Sequence, residues 1–269
     1  MSDPNSNDFV PPPPPPPQPP SEATDGAAMS TPQTLAGIFF EPSRVFESLR
    51  ERPRFLAAAI ISTIALLAFT TLFLQRVGYE RMVNEEINSS PRAEQMTPEQ
   101  KEQALRIQTS PVVKAIRYFA PILVVAIIIA AGAALYLLGS MLMGRQLRYK
   151  QSLAVWTYSG MPPIVVSMLL NIVLLFLKSP DDYDIVHASR RGLVQANLGI
   201  LMDAKAAPVM GTFLSSIDLF AFYGLFLAAL GLKKVGKMSS GAAWGIVLTI
   251  WIIGVIVRCA FAGITGGAM

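Results

Sequence analysis

The 269 residues are 52% hydrophobic and only 15% charged, with a mean hydropathy of +0.45 and a net charge of +4, against about 25% charged residues in an ordinary soluble domain. So small a positive balance gives no ground for nucleic-acid binding, and the single cysteine, Cys259, excludes an intrachain disulfide and a thiolate metal site. The apolar excess is gathered into charge-free blocks of about twenty residues, which cross a hydrocarbon core at about 1.5 Å per residue and are apolar all round, so the expected class is all-α, a polytopic membrane helix bundle.

Residues 1 to about 30 read as a disordered, proline-rich cytoplasmic tail. Pro11 to Pro17 is an unbroken run extended by Pro19 and Pro20, which favours an exposed polyproline II stretch. It could engage a protein partner through PxxP spacing; the alternative is a solvated tail without a specific ligand. The opening residues lack the basic and apolar regions of a signal peptide, so the first span is expected to direct insertion.

Residues 31–54 predict two short amphipathic helices. Thr31 caps the first, with Pro32 at its first position and Leu35, Ile38 and Phe39 on one face. Pro42 starts the second, with Val45, Phe46 and Leu49 at helical spacing and Arg44, Arg50, Arg52 and Arg54 around them. Such a helix either lies in the lipid interface, on anionic lipids, or packs against the other helices.

The remainder, 55–269, is expected to form five transmembrane helices at about 55–74, 119–143, 153–177, 211–232 and 242–264. The segment after the first span is polar and helix-prone, with a capping box at Thr97 to Gln100, and reads as a solvated helical loop. Ser110-Pro111 starts the second span, which Pro121 is expected to bend. The third needs Leu153 to Gly160 as well as Ile164 to Leu177, because the second stretch alone is too short, and Pro162-Pro163 is expected to break its middle. The short loops set the orientation. Arg145, Arg148 and Lys150 lie between spans two and three, and Lys233, Lys234 and Lys237 between spans four and five, with no acid in either. Both loops and the N-terminal arginines share one side, expected to be cytoplasmic, with the C-terminus outside.

Three stretches carry a resemblance. They are Phe40 to Pro53 ahead of the first span, Tyr149 to Pro163 leading into the third, and Asn197-Leu-Gly-Ile-Leu followed by Ser216-Ile-Asp-Leu-Phe220 and Gly231 around the fourth. In their order relative to five spans they resemble the bacterial branch of the Yip family over roughly residues 34 to 258. The resemblance implies five spans, a cytoplasmic N-terminus and a place in the bacterial cytoplasmic (inner) membrane. Eukaryotic relatives bind prenylated Rab GTPases, but their Asp-Leu-Tyr-Gly-Pro signature has no counterpart here, so that role is not carried over. Where the bacterial pattern leads one to expect a Trp after the fourth-span Asp, this chain has Phe222 and Tyr223.

The inventory of reactive groups excludes most chemistry. The single histidine, His187, falls in the loop after span three, so no Ser–His pair forms within the bilayer, and Asp218 is the one aspartate in a span, so no carboxyl dyad forms there. No metal cluster or phosphate loop is visible. No catalytic, cofactor-binding or metal-binding residue is assigned, and the chain is read as a non-enzyme. Asp218 in span four is expected to pair with Arg258 in span five, since the two lie at nearly equal heights on either side of a short loop near Lys237. Asn171 is expected to bond a neighbouring helix, and Gly241 and Gly245 to allow close helix approach. The function expected is a non-enzymatic membrane protein that organises the membrane or recruits partners. The alternative is a small-solute or ion transporter or channel using Asp218 and a proline-broken third span.

Overall fold

The computed structural model describes residues 29–90, 92–202 and 206–265; the expected proline-rich tail lies outside them apart from its last residues. In chain order the helices are α1 (Thr31–Phe40), α2 (Pro42–Glu51), α3 (Leu56–Val77), α4 (Tyr79–Asn88), α5 (Pro98–Gln108), α6 (Pro111–Leu142), α7 (Tyr149–Leu177), α8 (Ile185–Arg191), α9 (Pro208–Ser216), α10 (Leu219–Val235) and α11 (Ser240–Thr265). Three short 3-10 turns and one isolated antiparallel bridge, between Asn197 and Asp218, are the other regular features among the described residues.

Helices α3, α6, α7 and α11 are long and apolar enough to cross a bilayer, and they cover the first, second, third and fifth expected spans. The fourth is in two pieces. The stretch expected to be one helix over 211–232 is α9 and α10, interrupted at Ile217 and Asp218, and α10 alone has 17 residues. The third is not interrupted: α7 runs unbroken through Pro162 and Pro163, both buried. Pro163 has no N–H for the Ser159 carbonyl one turn back. Helix α10 covers that place with Gly224, where a Cβ would stand 3.5 Å from Pro163 Cγ and 3.7 Å from the Ser159 carbonyl oxygen. A neighbouring helix therefore shields the freed carbonyl, the condition under which membrane helices keep internal prolines.

Two separate cores divide the bundle by height. The first lies at the end carrying the basic loops and joins Ile38, Val45, Phe46 and Leu49 of α1 and α2 to Ala154, Val155 and Tyr158 of α7 and Leu232 of α10. The apolar face of α2 is thus buried in protein: Val45 and Phe46 are wholly enclosed, which decides between the two placements open to it. Gly231 lets α10 approach, since a Cβ there would lie 2.8 Å from Val155 and 2.9 Å from Phe46. Polar bonds fix the same joint. Gln151 donates to the Arg50 carbonyl at 2.8 Å, Lys234 pairs with Glu47 at 2.5 Å, and the Thr34 and Tyr158 hydroxyls share a hydrogen bond of 3.0 Å. The cap of α1 is Ser30 rather than Thr31. Ser30 and Gln33 form a reciprocal capping box, and Pro32 lies one position further in.

The second core lies at the opposite end and joins Phe73 and Val77 of α3, Met82, Val83 and Ile87 of α4, Leu175 of α7, and Ile185 and Ala188 of α8. The segment after the first span is therefore only half solvated: α5 buries no residue, whereas α4 docks an apolar face on the bundle. Charges hold this layer in place. Arg117 pairs with Glu86 at 2.6 Å, Arg81 with Asp181 at 2.6 Å, and Lys114 and Arg117 both lie over the Tyr79 ring.

Burial of the α2 face predicts that Phe46→Ala lowers stability by about 3 kcal/mol, as for other enclosed aromatic side chains. Arg44→Gln, at a solvent-facing pair with Glu41, changes it by about 0.5 kcal/mol or less. Reversible unfolding in mixed detergent micelles measures both; equal losses would mean that the face is not packed.

Candidate functional site

The break between α9 and α10 is an elaborated polar region within the bundle, and its construction begins on α7. Asn171 lies about two and a half turns beyond Pro162 on a helix with few other polar side chains at that height. Its Nδ2 donates to the Ser167 carbonyl at 2.8 Å, and its Oδ1 accepts from the backbone amides of Leu193 and Val194, the latter at 2.9 Å. One side-chain amide thus holds the turn that follows α8. Gly192 makes that turn, with φ +84, and a Cβ on it would lie 2.5 Å from Asn171 Oδ1. Positive φ and close approach both demand glycine here.

Pinned in this way, the chain from Leu193 passes alongside the break. Leu219 donates its amide to the Ala196 carbonyl at 3.0 Å, and Leu198 donates to the Ile217 carbonyl at 3.2 Å, the two bonds of the bridge between Asn197 and Asp218. Asn197 Oδ1 accepts from Gly199 at 3.0 Å and starts the 3-10 turn Leu198–Leu201. Asp218 caps α10, its Oδ1 accepting the Ala221 amide at 2.9 Å. Its carboxylate serves the positive end of a helix dipole.

The expected partner of Asp218 is elsewhere. No ion pair within 4.0 Å joins it to Arg258 among the described residues, because each has a local backbone bond instead: Arg258 Nε donates to the Gly254 carbonyl at 3.3 Å. Burial, and after it the charge of Arg258, disfavours the charged form of Arg191 on α8. Arg191 Nη1 donates to Ser215 Oγ on α9 at 2.8 Å, and its Nη2 is enclosed with no acceptor.

The other expected contacts divide. Asn171 does tie α7 to another segment, a turn rather than a helix. At Gly241 and Gly245 a Cβ would meet nothing within 4 Å among the described residues. The close approaches are at Gly132, which lies under the Trp156 indole, and at Gly139, where a Cβ would be 2.6 Å from Ile246. Arg191, Gly192 and Ser215 did not stand out in the sequence. The one signal was Arg190-Arg191-Gly192, the basic last turn and following glycine that end a helix.

Among the described residues no group of three His, Cys, Asp or Glu side chains could hold a metal. His187 is half-buried on α8 and its amide is capped by Asp184. Burial holds its imidazole below the usual value, Arg191 acts in the same direction, and Asp184 opposes them.

The Yip1 domain profile matches residues 36–261. The chain belongs to the Yip1 domain family. No curated protein and no solved structure matches it. The Yip1 domain thus opens inside α1 and closes inside α11, so the docked helices at the basic end and the interrupted fourth span both belong to it.

Two outcomes follow from this geometry. Asn171→Leu strands the Leu193 and Val194 amides and is expected to cost on the order of 2 kcal/mol, with faster hydrogen exchange confined to residues 192–202; unchanged exchange there would remove Asn171 as the anchor. The unfolded chain binds a proton at the ordinary histidine value, about 6.5, whereas folded His187 takes one only at lower pH. The unfolded state therefore holds more protons as pH falls through that range, so stability decreases on acidification. Melting temperatures at about pH 7.5 and 5.5 should show a smaller drop for His187→Gln than for the parent chain.

Proposed function

We propose that this Yip1-domain protein is a non-enzymatic scaffold of a bacterial cytoplasmic membrane, gathering partners at its basic, cytoplasmic end. In this reading it crosses the bilayer five times, with α9 and α10 together as the fourth crossing, its N-terminus inside and its C-terminus outside. The observation that carries the reading is the fixed platform of α1 and α2. Its apolar side is consumed by α7 and α10, while Phe40 is 84% exposed and Arg44 and Arg52 also point outward. A rigid ledge with an apolar residue and arginines on its free side suits the headgroup layer, anionic lipids included, and holds the start of the proline-rich tail where a soluble protein partner could meet it.

The transporter alternative rested on Asp218 and a proline-broken third span, and α7 is unbroken. The break in the fourth span keeps that alternative open to test, although Asp218 already serves as a cap there. Solute flux into proteoliposomes that vanishes in Asp218→Asn would favour it over the scaffold.

Photocrosslinkers at Phe40 and Arg44 in native membranes should capture discrete protein adducts that a lipid-facing position such as Leu123 does not. Identical adducts at all three would overturn the scaffold reading. Reporter fusions active only outside the cytoplasm should be active after residue 265 and silent before Ser30; a silent, well-expressed C-terminal fusion would overturn the five-crossing topology.

A further inference from the structure

The basic end of the bundle carries more cations than its own acids can meet. Residues 41–54, 143–150 and 233–239 hold ten Lys and Arg against three Glu. All three acids are taken, Glu41 by Arg44, Glu51 by Arg50 and Glu47 by Lys234. Of the cations left over, Arg52, Arg145, Arg148, Lys150, Lys233 and Lys237 are exposed and make no ion pair among the described residues. They share one continuous face. Leu147, ahead of α7, and Val235 and Met238, ahead of α11, join Leu49 of α2 in the first core, and a Cβ on Gly236 would lie 3.7 Å from Leu147 Cδ1. The chain enters this face at Met29, which packs on the same core; a Cβ on Gly37 would lie 3.0 Å from Met29 Cε. Arg54, the last of the unpaired cations, donates to Thr31 Oγ1 at 3.1 Å, two residues further on. The 28 residues before Met29 contain Asp3, Asp8, Glu22 and Asp25 and no Lys or Arg.

We propose that this acidic segment of the chain is the occupant of its own basic face, covering the loops ahead of α7 and α11. Glu22 and Asp25 lie within seven residues of Met29, a reach of about 24 Å at full extension, which includes Arg54. The proline-rich stretch 11–20 spans about 31 Å as polyproline II, roughly three helix diameters. It carries Asp3 and Asp8 across the face to the loops and keeps them from folding back beside Glu22. Exposed ion pairs are individually weak, but the tether holds the acids near the face at an effective concentration of about a millimolar. An anionic headgroup layer attracts the six exposed cations and repels four acids rooted among them, whereas the tail satisfies both sets of charges. An acidic ligand reaching these loops has first to displace it. The proposal needs only that tail and loops share one end of the bundle, not the scaffold reading, so failure of either leaves the other standing.

The test uses the full-length protein in phosphatidylcholine vesicles, with Cys259→Ala as background. Paired spin labels are placed by Ser6→Cys, between Asp3 and Asp8, and Gln146→Cys, beside Arg145. Electron–electron distance measurements should show a short-distance population in the otherwise unaltered chain. That population should fall at least threefold, to order of magnitude, between about 0.1 M and about 1 M salt, as the screening length shrinks from about 10 Å to about 3 Å. The combined variant Asp3→Asn, Asp8→Asn, Glu22→Gln and Asp25→Asn should lose it to the same degree at the lower salt. It leaves every contact of the two cores in place, so a loss reports on the tail. Equal populations with and without the four acids would overturn the proposal. So would the same population from a mixture of singly labelled chains, which would put the tail on a second copy. Loss of the population in vesicles rich in phosphatidylglycerol, at the lower salt, would give the face to lipid and overturn it as well.

Discussion

Inside a bilayer no water is available to a backbone amide or carbonyl, so every interruption of a helix must be satisfied by protein. The stretch expected as the fourth crossing is interrupted at Ile217 and Asp218, and much of the molecule beyond mid-height follows from how that gap is closed. The Ile217 carbonyl and Leu219 amide are met by Leu198 and Ala196. Those residues can stand there because Asn171 holds the preceding turn, and the turn exists because Gly192 adopts φ +84. Remove any one member and the next loses its position. The aspartate at the break is part of the same closure: its carboxylate ends the exposed amides of α10, so a charged residue within the span is explained by a local backbone need.

This chain of dependence shows why the spans were legible in the sequence and the site was not. The extents of α3, α6, α7 and α11 follow from charge-free length, and the start of α6 also from Pro111 in its first turn, both local properties. So do the capping box at Thr97 and the start of α2 at Pro42. The location of the break is not local. Pro162-Pro163 looks like an interruption and is absorbed, because Gly224 of α10 covers the carbonyl that Pro163 frees. Ser216-Ile-Asp-Leu looks like continuous helix and is interrupted, because a segment twenty residues earlier supplies its bonds. A proline removes one donor, which a neighbouring helix can shield; an aspartate at a cap requires the chain to leave the helix and return.

The same distinction governs the helix contacts. Gly241 and Gly245 carry the spacing usually associated with close approach, yet both face open space, whereas Gly132, Gly139 and Gly231 lie where Trp156, Ile246 and Phe46 reach across. A glycine permits approach only if the opposing helix presents a large side chain at that height, and one helix's sequence says nothing of its neighbour's register. Asp218 and Arg258 differ for a related reason. The arithmetic of the hairpin sets their heights, about 1.5 Å per residue, but leaves the rotation about each axis free. The rotations that bury Leu227 and Leu232 of α10 and Val247 and Val255 of α11 are set by packing, and the hairpin arithmetic does not contain them.

Separation of the two cores has a further consequence. At the basic end α1 and α2 are tied to α7 and α10 by Phe46, Gln151 and the Glu47–Lys234 pair; at the other end α4 and α8 are tied to α3 and α7 by Ile87, Leu175 and Ile185. Helix α7 belongs to both, and α6 contributes little to either: it buries only Gly132, Ala133, Tyr136 and Ser140 along its 32 residues. A rigid rod shared by two layers lets a change of packing in one act on the other by a small rotation. Coupling between the segment beside the break and the ledge at the basic end would therefore run through α7, which presents Asn171 to one and Gln151 to the other from a single unbroken helix.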